Sequence, residues 1–175
     1  PWRLTELLRD HPRVVPYLDI PTQHAATDVL RAMGRAGSGD QVRRTLDRLR
    51  EDVPGITLRT TLLVGFPGET EADVAELIDF VHAYDLGRMG VFTYSPEEGT
   101  PGFDLDGRVP EDEMARRRDA VLDARDDVLE ASQNGLVGTS VDVLIDEDHG
   151  RELVGRTELD APEVDPLCRV APVEG

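Results

Sequence analysis

Two glycines, a proline and a carboxylate fall within five residues at Gly65-Phe66-Pro67-Gly68-Glu69, between the β-type run Arg59-Thr60-Thr61-Leu62-Leu63-Val64 and a helix start at Thr70. Glycine lets backbone approach a ligand without a Cβ, Pro67 stiffens the turn, and a following helix aims its first N–H groups at whatever sits there. The chemistry is retention of a small molecule at the C-terminal end of a parallel strand. The same residues also make an ordinary strand-to-helix turn, and spacing alone does not separate the two. Gln23 and His24 follow Pro21 at the end of an earlier apolar run. The Gln23 amide has the donor and acceptor that a ribose or carboxylate needs. A lone His24 reads as a base or metal ligand, or as a hydrogen-bonded structural residue. Phe92 and Tyr94, two residues apart, share one side of a strand and either stack on a purine or fill the core. Arg59 is costly to bury alone, so it meets an anionic ligand group or ends a salt bridge at the floor of the sheet.

These residues need strands in parallel. Val14 to Ile20, Ile56 to Phe66 and Met89 to Tyr94 read as strands, the second with Leu58, Leu62 and Val64 set against Arg59, Thr61 and Leu63. A helix tail (Leu4, Leu7, Leu8) precedes them, and between them lie helices at Ala25 to Ala36, at Ser38 to Asp52 with a Ser38/Gln41 capping box, and after Thr70 with Asp73 at the reciprocal position. The βαβαβ alternation predicts an α/β fold with right-handed parallel crossovers. After Pro101 come a Gly/Asp-rich loop and a long charged helix to about Leu136 with sparse apolar positions Met114, Val121, Leu122, Val128 and Leu129. Alternation at Val141, Val143, Ile145 and again at Leu153, Val154 then announces a small antiparallel module. Residues 1–136 and 137–175 are therefore expected to be two units.

The chain of 175 residues carries 36 acidic and 19 basic residues, every basic one Arg, for a net charge of −17. Such a polyanion recruits nucleic acid poorly and suits a basic protein partner, although a salt-adapted composition would look the same. No apolar run approaches the roughly 20 residues a membrane span needs, and the absence of a signal peptide makes the cytoplasm the expected location. Cys168 is the only cysteine, so neither a disulfide nor a CxxC metal site can form within these residues. It reads as a strand residue rather than a nucleophile, since the Asp165-Pro166-Leu167 before it supplies no electropositive setting. Glu97 and Glu98, adjacent in a loop, read as a solvated pair.

The run Arg59 to Thr70, with Pro16-Tyr17-Leu18-Asp19-Ile20-Pro21-Thr22-Gln23-His24 before it and Val91-Phe92-Thr93-Tyr94-Ser95-Pro96-Glu97-Glu98-Gly99-Thr100-Pro101 after it, resembles the later barrel strands of the radical SAM methylthiotransferases. The likeness extends from about Pro1 to Val170. It implies the second half of a partial TIM-like (β/α) barrel followed by the start of a small TRAM β-barrel, with Gly155-Arg156-Thr157 and Asp160-Ala161-Pro162-Glu163-Val164-Asp165 as the TRAM match. Pro16 to Pro21, Arg59 to Thr61 and Asp160 to Glu163 look like the RimO branch, which methylthiolates an aspartate β-carbon of ribosomal protein S-12, rather than the tRNA-modifying branch. The resemblance implies S-adenosylmethionine as cofactor, bound by Gln23, Arg59, Thr61, Gly65, Phe66, Pro67, Gly68, Glu69, Phe92 and Tyr94. It also implies two 4Fe-4S clusters in the intact enzyme, whose six cysteines would all precede Pro1, making this chain a C-terminal fragment inactive alone. A non-catalytic remnant serving as an interaction module is the rival expectation. No catalytic residue and no metal ligand is assigned.

Overall fold

The computed structural model describes residues 3–171; the expected unit limits at 1 and 175 lie outside them. In chain order the elements are α1 (Arg3–Asp10), β1 (Tyr17–Asp19), α2 (Thr27–Ala32), α3 (Gly39–Asp52), β2 (Thr57–Val64), α4 (Glu71–Ala83), β3 (Arg88–Thr93), α5 (Glu111–Gly135), β4 (Leu144–Asp148), β5 (Leu153–Arg156) and β6 (Cys168–Val170). Strands β1, β2 and β3 form a parallel sheet in that order, with Asp19 beside Arg59, Arg59 beside Arg88 and Leu63 beside Phe92. Strands β4, β5 and β6 form an antiparallel sheet in that order.

Burial alternates strictly along β2. Leu58, Leu62 and Val64 pack with Leu46 and Leu49 of α3, Val74, Leu77, Phe80 and Val81 of α4, and Val121, Ala124 and Val128 of α5. The alternate residues Thr57, Arg59, Thr61 and Leu63 turn to the opposite face and stay half-buried. Period-2 side chains on the strand, met by period-3.6 stripes on the helices, thus fix which face of the sheet is left for a site. Thr70 accepts from the Asp73 N–H while Asp73 accepts from the Thr70 N–H, completing the expected capping box. At α3 only half of the expected box forms: Ser38 accepts from the Gln41 N–H.

Several elements are shorter than the sequence suggests, among them β2, which spans Thr57–Val64 and stops before Gly65 rather than running from Ile56 to Phe66. β1 starts at Tyr17, because Pro16 precedes it and the backbone turns through His11–Val14. α2 stops at Ala32, where Gly34 at φ +70 closes the helix. β4 begins only at Leu144, so Val141 and Val143 lie outside the ladder. The register shifts between Ile145 and Glu147, and all five β4 residues are exposed.

Candidate functional site

The turn after β2 occupies the C-terminal edge of the parallel sheet, with Gly65 at φ +78 and Gly68 at φ +85. Three of its amides have partners within the chain. The Gly65 N–H donates to both Glu69 carboxylate oxygens at 3.0 Å, Gly68 N–H to the Gly107 carbonyl at 2.9 Å, and Glu69 N–H to the Phe66 carbonyl at 2.9 Å. The loop carrying Gly107 and the Glu69 side chain thus engage the Gly68 and Gly65 donors within the chain itself. The close approach at Gly65 is equally internal, since a Cβ there would stand 2.3 Å from Met114 Cγ of α5. Phe66 and Pro67 are buried, whereas Gly68 is exposed.

Beneath the turn lies a buried ionic cluster. His24 and the Glu69 side chain are 0 % exposed, and Arg117 is close to that. Arg117 Nη1 donates to the Glu69 carbonyl at 2.9 Å and to its Oε1 at 3.0 Å, while Arg117 Nε donates to Glu113 at 2.7 Å. Burial works against the Arg117 charge, yet hydrogen bonds to Glu113 and Glu69 outweigh it and hold its pKa above the usual arginine value. His24 Nδ1 accepts from the Ala26 N–H at 3.0 Å, which places the neutral ring's proton on Nε2. That nitrogen has no hydrogen-bond partner and lies 3.5 Å from Glu69 Oε2. Of the two readings of His24, the structural one is realised. Glu69 points inward, and its carboxylate accepts from the Gly65 N–H and from Arg117.

The opposite face of the sheet is where open surface lies. Phe92 is 58 % exposed, beside Leu63 in register, with its ring edge over Gly90. Gln23, at φ +70, continues the pairing above β1: its N–H donates to the Thr61 carbonyl at 2.9 Å and its carbonyl accepts from Leu63 N–H at 2.8 Å. Gln23, Thr61, Leu63, Gly90 and Phe92 are thereby gathered by the backbone. Tyr94 continues the pairing with β2, its N–H donating to the Val64 carbonyl at 2.8 Å. It lies past the end of β3 and turns onto Phe66, ring centroids 4.9 Å apart and edge-on, in a small cluster with Ala26 and Val29. Its hydroxyl is buried under Gly102 with no hydrogen-bond partner.

Arg59 sits six residues before Gly65, roughly 20 Å along the strand, and is bonded to Asp165 and close to Asp19. The salt-bridge reading of Arg59 is the one the fold contains, and it stands apart from the turn. Sequence reasoning missed Arg117, Met114, Arg88 and Asp165. A signal for Arg117 existed, because positions 117, 121, 124 and 128 follow the 4-3-4 spacing of one buried stripe. A cleft of about 1020 Å³ opens elsewhere, between Val14, Val15 and Tyr17 on one wall and Val141, Leu144 and Leu159 on the other.

Residues 1–81 match the model of the radical SAM superfamily and residues 137–175 match that of the TRAM domain. The chain is 43 % identical over 170 residues to a "Ribosomal protein uS12 methylthiotransferase RimO" of Synechocystis, covering 96 % of this chain and 38 % of that protein. Proteins of the same name from Desulforudis audaxviator and Sorangium cellulosum are 43 % and 42 % identical, over 94 % and 93 % of this chain and 36 % and 34 % of theirs. The chain thus spans under two fifths of the length of these relatives. Among solved structures, coproporphyrinogen III oxidase (HemN) from Escherichia coli, a radical SAM enzyme, superposes with a TM-score of 0.53 at 16 % identity, covering 81 % of this chain and 30 % of that one. That likeness bears on the fold: a parallel sheet of the radical SAM type.

Proposed function

We infer, from a chain that belongs to the RimO-type radical SAM methylthiotransferases, that the intact protein transfers a methylthio group to an aspartate β-carbon of ribosomal protein uS12. The observation that carries the assignment of the site is Phe92, an aromatic ring left 58 % exposed on the sheet face opposite the main core. An adenine fits there: Phe92 offers a stacking face, Leu63 an apolar flank, and Gly90 leaves no Cβ beside them. The half-buried Gln23 supplies an amide at the mouth of the sheet for a ribose or carboxylate. Thr61 stands on the same face, while Gly65, Phe66, Pro67, Gly68 and Glu69 act as the scaffold that sets the strand end, and Tyr94 braces Phe66. Arg59 is left out of this cofactor set.

S-adenosylmethionine, when bound, supplies the methyl group and the one-electron chemistry that opens a C–H bond. The two 4Fe-4S clusters do not fit these residues. Cys168 is the sole thiol, and no His, Cys, Asp or Glu grouping suited to a metal occurs among the described residues. The cluster ligands are assigned to other parts of the intact enzyme. The surplus of acid, net −17, favours a basic protein substrate over RNA, and Asp146, Glu147 and Asp148 of the wholly exposed β4 contribute to it. We place the boundary between barrel and TRAM units at 136/137 and the protein in the cytoplasm. No helix among the described residues is long and apolar enough to cross a membrane.

The test is anaerobic turnover of the intact protein with S-adenosylmethionine, offered small ribosomal subunits and tRNA separately, with mass spectrometry of both. Methylthio-aspartate on uS12 is the expected product. Modified tRNA with unmodified uS12 would move the protein to the other branch.

A further inference from the structure

The two sheets are joined by charge. No residue after Val128 enters either apolar cluster of the parallel layer, and Val154 is the one buried apolar side chain described beyond that point. The loop between β5 and β6 instead lays Asp160 against Arg88 and Asp165 against Arg59, at 2.9 and 2.5 Å. All four side chains are largely shielded, at 9 and 13 % exposure for the first pair and 3 and 14 % for the second. Arg59 and Arg88 are direct neighbours in the parallel register. Two like charges so placed repel, and each carboxylate of the loop neutralises one of them. The Tyr17 hydroxyl adds a third link, donating to Asp165 at 2.9 Å. Burial first, and that bond second, push the Tyr17 phenol above its ordinary pKa.

The loop is built to present these carboxylates. Thr157 N–H and hydroxyl donate to Asp160 at 3.2 and 2.6 Å, and Ala161 N–H donates to Asp165 at 2.8 Å. On the flank of these contacts the 1020 Å³ cleft keeps β1 and the second sheet apart, and the connection from α5 passes through Gly138 at φ +83. Tyr17, Arg59 and Asp160 come from the three separate segments quoted above for the branch resemblance, and the fold brings them to one point.

We propose that the pairs Arg59–Asp165 and Arg88–Asp160 are an ionic latch that docks the β5–β6 loop on the base of the parallel sheet and so sets the orientation of the acidic antiparallel module. Without an apolar interface to fall back on, release of the latch frees the module about the α5–β4 connection. This reading is independent of the reaction proposed above and holds whatever the module binds.

Hydrogen exchange of the full chain tests it through two amides whose own acceptors are untouched by the substitutions. In the Arg59→Gln, Arg88→Gln double variant, exchange at Thr157 and Ala161 is expected to quicken about tenfold or more, as for local opening after loss of a buried charge partner. Leu62 and Val64 in β2 should keep their protection. Unchanged exchange at Thr157 and Ala161 overturns the proposal, because the loop would then hold its place by itself. Should β2 also lose protection, a charge exchange decides, read at Ala161 alone because its acceptor Asp165 is left in place: Arg88→Asp must speed that amide, and adding Asp160→Arg must slow it again. Failure of that reversal equally overturns the latch.

Discussion

Replacing Arg117 by Met tests the buried ionic cluster most sharply. The substitution leaves the Glu69 carboxylate, 0 % exposed, with the Gly65 N–H as its hydrogen-bonded donor and His24 Nε2 no nearer than 3.5 Å. Removing one partner of a buried ion pair costs about 3–5 kcal/mol, since the remaining charge is uncompensated. For a chain of this size a kilocalorie moves the melting temperature by about 2–4 °C, so a fall of roughly 6–20 °C is expected. Adding Glu69→Leu removes that stranded charge and leaves an unsatisfied Gly65 N–H, a penalty of about 1–3 kcal/mol. The double variant should therefore be more stable than Arg117→Met alone. Urea unfolding with unchanged m-values measures both. A loss below about 1 kcal/mol in Arg117→Met, or a double variant whose loss equals the sum of the two singles, would refute the account of the cluster.

Gly65→Ala should destabilise by more than the roughly 1 kcal/mol of an αL penalty, because its Cβ would also meet Met114 Cγ at 2.3 Å; adding Met114→Ala should recover the steric part in a thermal melt. Phe92→Ala should cost well under the about 3–5 kcal/mol of a core phenylalanine, because the ring is 58 % exposed. In the intact enzyme it should weaken S-adenosylmethionine binding measured by calorimetry, and unchanged affinity would remove Phe92 from the site. Hydrogen bonds from Arg116 and then Arg117 hold the Glu113 carboxyl well below the usual carboxylate range. Its contribution is thus present above the unfolded value of about 4.3 and is lost as pH falls below it. Melting curves from pH 7 to 3 should show this loss blunted in Glu113→Gln.

The local part of the fold was legible because local rules govern it. The α3 and α4 starts follow from Ser38 and Thr70, and β2 follows from its alternation. What the sequence hid were partners far apart in the chain. Asp165 finds Tyr17 148 residues away and Arg59 106 away, distances over which no period carries information. Charged type misleads in the same way: Arg117 reads as a solvated helix residue until Glu69 and Glu113 supply the charge that lets it be buried. At the turn, the glycine spacing correctly marked a close backbone approach, but the approaching group is Met114. Phe92 and Tyr94 differ in surroundings for the same reason: Tyr94 meets Phe66, Ala26 and Val29, contacts from other segments that the two-residue spacing does not encode.

Helix α5, 25 residues from Glu111 to Gly135, is about 37 Å long. Met114 in its first turn seats on Gly65, and Leu136 at its far end lines the cleft beside the second sheet. It is a lever with its fulcrum in the core at Val121 and Ala124. A tilt of about 5° about that fulcrum would carry the far end, about 20 Å away, by roughly 2 Å. A displacement of about 1 Å where Met114 seats on the glycine turn would thus be returned as about 2 Å, of opposite sense, at the wall of the distant cleft.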